Sequence, residues 1–331
     1  MKVVTLMRLK EQEERLKETF PNVDFIFYKH PNEARDEDLE DVDILVSYHG
    51  EVNPSFLDKC KNIKLIAWFA TGVNQLPLDY IQDRGIKLTN ARGVHAIQIA
   101  EFIFAYILND IKLFRTSYEF QKKREFNHKL KPDSINEKTI LFLGTGKIPQ
   151  RTAEVAKAFN MKVIGINTTG HEVPGFAEVY SIEERRHVYH KADFIVNVLP
   201  ETEETIHLLQ KEDFKQMNED THFINVGRGT VVSESVLYEA LSSKDIRYAS
   251  IDVFEEEPLP ENSLLYDLDN VFITAHITGN DLNNLKRSTD ILIENLKHIK
   301  NDASDKLINI VNAEAGYWLI VWQNATKRDI L

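Results

Sequence analysis

Two doubly wound parallel α/β domains are what this sequence predicts, and three observations carry that expectation. Short Val/Ile/Leu-rich runs alternate with amphipathic stretches along most of the chain, as in a parallel sheet wrapped by helices. The alternation comes in two series, parted by a long apolar helix at residues 95–113 and a Lys/Glu-rich polar stretch at 118–136. The chain has 331 residues, which at about 150 residues per domain is room for two.

In the first series, strands fall at residues 3–7, 24–28, 43–47, 64–69 and 86–89, with a charged amphipathic helix at 9–20. Ala96, Ala100, Phe104 and Ile107 stand at helical spacing in the long helix that follows. The polar stretch after it reads as an exposed arm or loop. A second series opens with a very apolar strand at 139–143, a glycine turn at Gly144 and a helix at 151–159. Asn160 is suited to the left-handed position that ends such a helix. Further strands fall at 162–166, 194–198, 221–226, 248–253 and 271–274. A last helix at 282–300 is expected to cross back to the first domain. The domains are therefore placed at residues 1–94 with 281–331, and at 95–280.

Composition narrows the function classes. Forty Lys+Arg face 52 Asp+Glu, a net charge of −12. Nucleic-acid binding needs a basic surplus, so no nucleic-acid partner is expected, and the acidity reads as solubility. The N-terminal apolar run is interrupted by Arg8 and Lys10, too soon for a secretory leader. No apolar run approaches the ~20 residues that span a bilayer. A single cysteine, Cys60, cannot form an internal disulfide, which suits a reducing compartment. A cytoplasmic protein without a membrane partner is expected. No Cys/His cluster has zinc-ligand spacing, so no metal is expected either.

Four constellations carry chemistry. Gly144-Thr145-Gly146-Lys147-Ile148-Pro149 follows a strand and opens a helix, the setting of a dinucleotide-binding turn. Gly144 permits the turn, and Gly146 lets a pyrophosphate approach the helix N-terminus. Pro149 stands where a third glycine is usual and is acceptable at a first helical position. In Asn225-Val226-Gly227-Arg228-Gly229 an apolar strand runs into an arginine, which can hold a carboxylate with two parallel hydrogen bonds. Asp252-Val253-Phe254-Glu255-Glu256-Glu257-Pro258 and Thr274-Ala275-His276-Ile277-Thr278-Gly279 are two more strand ends with titratable groups. A histidine beside a carboxylate can work as acid or base. His30, His49, His171 and His298 are read as structural on composition alone.

These motifs, in this order, resemble the D-isomer-specific 2-hydroxyacid dehydrogenases. Ala70-Thr71-Gly72-Val73-Asn74-Gln75-Leu76-Pro77, Thr89-Asn90-Ala91-Arg92-Gly93-Val94-His95 and Ala100-Glu101-Phe102 resemble the same family's N-terminal motifs. The likeness runs over residues 40–317. It implies a Rossmann cofactor domain inserted into a flavodoxin-like substrate domain, with the active site in the cleft between them. It implies hydride transfer between NAD or NADP and C2 of a small 2-hydroxy or 2-oxo acid. By the same resemblance Arg228 would bind the substrate's carboxylate and carbonyl oxygen, His276 would exchange the proton at the C2 oxygen, and Glu257 would orient it. The Gly72 and Val73 amides would hold the carboxylate, with Asn74, Tyr48 and His49 lining the pocket. Asp252 would contact the nicotinamide carboxamide. Pro200 and Thr205 match the loop near the adenosine, and Val226, Gly227 and Gly279 join the cofactor set. Two other readings are a nucleotide-sensing scaffold of corepressor type and a phosphoglycerate dehydrogenase.

The second strand of the cofactor domain ends in Asn167-Thr168-Thr169. NAD users of the family usually carry an aspartate at the first of these positions. Without it the repulsion of a 2′-phosphate is missing, and all three side chains can donate to a phosphate. Both cofactors are expected to work, with a slight lean to NADP. The apolar helix at 95–113 is expected to be covered on several sides, and the resemblance makes a homodimer the way it is covered. Trp318-Leu319-Ile320-Val321-Trp322 lies past the likeness and is hydrophobic enough to pack on a neighbour.

Overall fold

The computed structural model describes residues 1–301, 303–312 and 317–318. They fall into two compact units, one of Met1–Val94 with the described residues from Asp281 onward, the other of His95–Asn280.

The first unit is built on five parallel strands, β1 (Lys2–Leu6), β2 (Asp24–Tyr28), β3 (Ile44–Ser47), β4 (Leu65–Trp68) and β5 (Lys87–Thr89). Their order is β2-β1-β3-β4-β5, the flavodoxin-like winding that reverses between β1 and β3. Adjacent strand residues point to opposite faces. Val3, Ile44 and Leu65 therefore pack with Leu16, Leu292 and Leu296 of helices Gln12–Thr19 and Asn284–Lys300. Val4, Leu45 and Ile66 pack with Leu57 and Ile81 on the other side. The last long helix thus returns to the first sheet.

The second unit carries seven parallel strands: β6 (Thr139–Leu143), β7 (Lys162–Asn167), β8 (Glu178–Ser181), β9 (Phe194–Asn197), β10 (His222–Asn225), β11 (Tyr248–Ile251) and β12 (Val271–Ile273). The order β12-β11-β10-β9-β6-β7-β8 is the Rossmann winding with one strand added, and it reverses between β6 and β9. Ligands of such sheets bind outside the carboxyl ends of the strands at that point. Helix Ala96–Ile111 buries Ile99, Ile103, Phe104 and Ile107 in one of the unit's two cores. It packs there with helix Lys147–Ala158, through Ala153 and Ala156.

Three differences from the sequence reading have physical reasons. The polar stretch begins as a helix, Phe114–Lys122, with no buried residue. That helix holds no Gly or Pro, and Lys122 pairs with Glu119 one turn away, so local propensity suffices. Edge strand β8, Glu-Val-Tyr-Ser, is half-buried throughout and shows no apolar pattern to read. The apolar side of helix Ala96–Ile111 is largely covered within its own unit, so its hydrophobicity alone does not require a partner. Asn160, at φ 57°, does take the left-handed position. Residues 319–322 of the hydrophobic tail lie outside the described residues.

Candidate active site

Glycines at the strand ends of the second unit draw its loops together. Gly144 turns at φ 101°, which side chains other than glycine rarely adopt, and faces Val198 after β9. A methyl group on Gly229 would stand 1.9 Å from the Phe254 carbonyl carbon, so the loops after β10 and β11 can touch only through glycine. Arg228, Asp252 with Glu257, and His276 consequently leave three neighbouring strands, β10, β11 and β12, at the same end of the sheet.

His276 and Glu257 form the core of the cluster. His276 Nδ1 lies 2.7 Å from Glu257 Oε2, and the other carboxylate oxygen accepts from the Phe254 amide at 3.0 Å. Glu257 is thereby fixed at both oxygens, and it fixes the ring. Nδ1 as the donor leaves Nε2 directed elsewhere. The ring is 51% exposed, so a reactant can reach it. Its backbone sits at φ 50°, a costly conformation for a non-glycine residue that persists only where surroundings impose it.

Asp252 imposes it. This carboxylate is fully buried. Oδ1 accepts from Thr274 Oγ1 at 2.6 Å and from the Ile277 amide at 2.9 Å. Oδ2 accepts from the Thr278 amide at 3.0 Å and from Thr278 Oγ1 at 2.6 Å. The His276 amide donates to the Asp252 carbonyl at 2.8 Å. A carboxylate offers about four acceptor sites, and all are used. Asp252 therefore organises the histidine loop. Tyr106 OH lies 2.7 Å from Thr274 Oγ1 and extends the network to helix Ala96–Ile111, a partner that sequence spacing did not reveal.

Arg228 is partly buried and gives one hydrogen bond, 2.8 Å, to the Gly227 carbonyl. Among the described residues no carboxylate lies within ion-pair distance of it. Its loop is held from below by buried asparagines. Asn197 Nδ2 donates to Asn225 Oδ1 at 2.9 Å, and Asn225 Nδ2 to the Arg228 carbonyl at 3.2 Å.

The glycine turn after β6 fits a dinucleotide. Gly146 caps helix Lys147–Ala158 and has open space where a side chain would stand. Gly146 and Lys147 are open to solvent, with Thr145 and Ile148 partly covered. Pro149 is the third residue of the helix and buried, not the first as expected. The first turn has no intrahelical use for its N–H groups, so proline is still accommodated. Next to the turn, Thr168 Oγ1 is buried and without a hydrogen-bond partner. The Asn167 side chain donates to the His171 carbonyl at 2.9 Å, lies 3.4 Å from Thr145 Oγ1 through the same Nδ2, and accepts from the Gly170 amide at 2.8 Å, so it shapes its own loop. Thr169 Oγ1 is paired with His171 Nδ1 at 3.0 Å. Thr205 is buried and donates to the Pro200 carbonyl at 2.7 Å, bracing the loop after β9. Val226 is buried and the Gly227 amide donates to Asn225 Oδ1 at 3.2 Å. The Gly279 carbonyl lies 2.9 Å from His95 Nδ1.

In the first unit, the candidates cluster after β3 and β4. Trp68 Nε1 donates to the Gly72 carbonyl at 2.9 Å. Gly72 and Asn74 are exposed and Val73 is buried. The Tyr48–Gly50 loop lies beside this one, with the Cβ position of Gly50 3.5 Å from Gln75 Oε1. Tyr48 is exposed, and its ring centroid is 4.1 Å from that of His49. Thr71 Oγ1 is buried without a partner, a polar atom that sequence reading passed over.

Comparisons with known proteins agree on one family. Residues 104–278 match the family described as D-isomer specific 2-hydroxyacid dehydrogenase, NAD binding domain. A glyoxylate reductase of Pyrococcus horikoshii is 30% identical over 275 residues, 80% of this chain and 82% of that protein. A D-3-phosphoglycerate dehydrogenase of Methanocaldococcus jannaschii is 30% identical over 83% of this chain, yet over only 53% of its own length. The crystal structure of a D-isomer specific 2-hydroxyacid dehydrogenase family protein from Aeromonas salmonicida superposes with a TM-score of 0.80 at 28% identity, covering 94% of this chain and 99% of that one.

Proposed function

We propose that this chain, which belongs to the D-isomer specific 2-hydroxyacid dehydrogenase family, performs its reaction with Arg228, His276 and Glu257. The protein is an oxidoreductase that exchanges hydride between a nicotinamide cofactor and C2 of a small 2-hydroxy or 2-oxo acid. The nicotinamide, when bound, supplies or accepts that hydride.

The chain's own residues do the rest. Arg228, with no carboxylate at ion-pair distance among the described residues, holds the substrate carboxylate and stabilises charge that grows on the C2 oxygen. His276 Nε2 gives a proton to that oxygen as the alcohol forms, and takes it in the reverse direction. Glu257 holds Nδ1–H and so keeps the ring aimed. The observation that carries this reading is the 2.7 Å His276–Glu257 pair on a loop locked by Asp252. In the first unit we assign carboxylate contacts to the Gly72 and Val73 amides, with Asn74 and Tyr48 beside them. Dinucleotide phosphates are assigned to Gly144–Gly146 and the start of helix Lys147–Ala158. The absence of a carboxylate at Asn167 supports use of both cofactors with a lean to NADPH. A homodimer and a cytosolic location complete the reading. No helix among the described residues is long and apolar enough to cross a membrane.

NADH and NADPH oxidation against pyruvate, glyoxylate, hydroxypyruvate and a branched 2-oxo acid tests it. Turnover of at least one is expected. Tight cofactor binding with no turnover of any would favour a sensing scaffold instead.

A further inference from the structure

We propose that the first unit holds a zinc-class divalent cation between His30, His49 and Glu51, at the carboxyl ends of β2 and β3. One ring nitrogen of each histidine and a carboxylate oxygen of Glu51 all lie within 4.8 Å of one another. His30 Nε2 is 3.5 Å from Glu51 Oε1. Ligands about 2.0–2.2 Å from a tetrahedral zinc stand roughly 3.4 Å apart, so this pair is already at ligand spacing. The two imidazole rings are 4.5 Å apart between centroids. His49 Nε2 is buried and has no hydrogen-bond partner. A buried ring nitrogen left unpaired is costly, and a cation would satisfy it.

Two imidazoles and one carboxylate suit zinc, cobalt, nickel or copper rather than magnesium or calcium, which take oxygen ligands. A fourth position would go to water. One local contact opposes the ion. The Asn32 amide donates to His30 Nδ1 at 3.3 Å, so the neutral ring carries its proton on Nε2. When Nε2 binds the cation, that proton moves to Nδ1 and the Asn32 contact is given up. At 3.3 Å it is a weak bond, and the new metal–nitrogen bond outweighs it. Sequence spacing could not reveal the set, because His30 and His49 come from strands that β1 separates in the sheet. The assignment takes His49 as a metal ligand rather than a substrate contact. The ion would brace the loop after β3, whose Gly50 borders Gln75.

The test is equilibrium dialysis of the tag-free full chain with Zn²⁺ and with Co²⁺. One equivalent is expected to bind with a dissociation constant on the order of 10 µM or below, and Co²⁺ to show visible ligand-field bands. His30→Ala and Glu51→Gln should each weaken binding by about tenfold or more, with an unchanged circular dichroism spectrum in EDTA. Should either variant misfold, Co²⁺ added to the wild type still has to shift the ring-proton NMR signals of His30 and His49. No saturable binding, binding unaltered in well-folded variants, or unshifted ring signals would overturn the site.

Discussion

At the scale of single residues, the strand-end motifs were legible because each sets a titratable side chain directly after an apolar run. Which atoms they touch was not. Asp252 illustrates the gap. Its sequence position is compatible with a cofactor contact, but only the folded loop reveals that both oxygens serve the His276 loop. Asp252→Asn leaves one carbonyl oxygen for four donors and sets an NH₂ group against N–H or O–H. In a fully buried site this should cost about 2–4 kcal/mol of stability. It should also lower kcat more than it raises KM, because the loop that aims His276 loosens. Urea denaturation with steady-state kinetics checks both, and an unchanged kcat would make Asp252 purely structural. Asn167 is a second case. Replacing it by Asp places a carboxylate toward the His171 carbonyl and near the ribose position. NADPH should lose kcat/KM relative to NADH by about tenfold, about 1.4 kcal/mol. A wild-type preference for NADH of about a hundredfold would contradict the reading of this position.

At the scale of elements, strands and helices with strong periodicity could be read, whereas β8 and helix Phe114–Lys122 could not. Neither buries a full face: β8 is half-buried throughout and helix Phe114–Lys122 buries no residue. Hidden polar ties between elements were also illegible. Asp110, on helix Ala96–Ile111, receives two bonds from Arg247, at 2.8 and 2.6 Å. Fully buried His222 stands 3.0 Å away through Nδ1 and lies 2.9 Å from Ser250 Oγ through Nε2. Burial would raise the Asp110 carboxyl, yet the bonds from Arg247 and the nearby His222 hold it well below the usual carboxylate range. Desolvation pushes His222 below its ordinary value. The signs agree. As the pH falls, the unfolded chain takes up protons at both groups before the folded chain does. Their stabilisation is therefore full at neutral pH. That of His222 declines below about 6.5 and that of Asp110 below about 3.9. Asp110→Asn should cost about 2–3 kcal/mol at pH 7, at the low end for a buried pair because Arg247 reaches solvent. The difference from wild type should shrink toward pH 3 in thermal melts, and a constant difference would show that the charge is not what matters. Cys60 is the inert counterpart. It is buried, and desolvation pushes its thiol up to about 12.

At the scale of the whole molecule, the chain order of motifs carried the family, because strand ends fixed by a doubly wound sheet appear in a set sequence. Quaternary structure is less legible. Helix Ala96–Ile111 finds most of its cover at home, but Phe114, Tyr118 and Phe126 are exposed at 59%, 56% and 94%. Apolar side chains in such numbers on one arm favour a partner. Light scattering at micromolar concentration should report twice the 38.3 kDa chain, and Phe114→Glu with Tyr118→Glu should shift it toward monomer. A wild-type monomer would refute the dimer. The central claim, that His276 exchanges the proton at C2, is tested most directly by His276→Ala. With the best 2-oxo acid of the panel, kcat should fall by about 10²–10⁴-fold, while NADPH affinity, read by fluorescence titration, stays within about twofold. Wild-type turnover in His276→Ala would contradict the account.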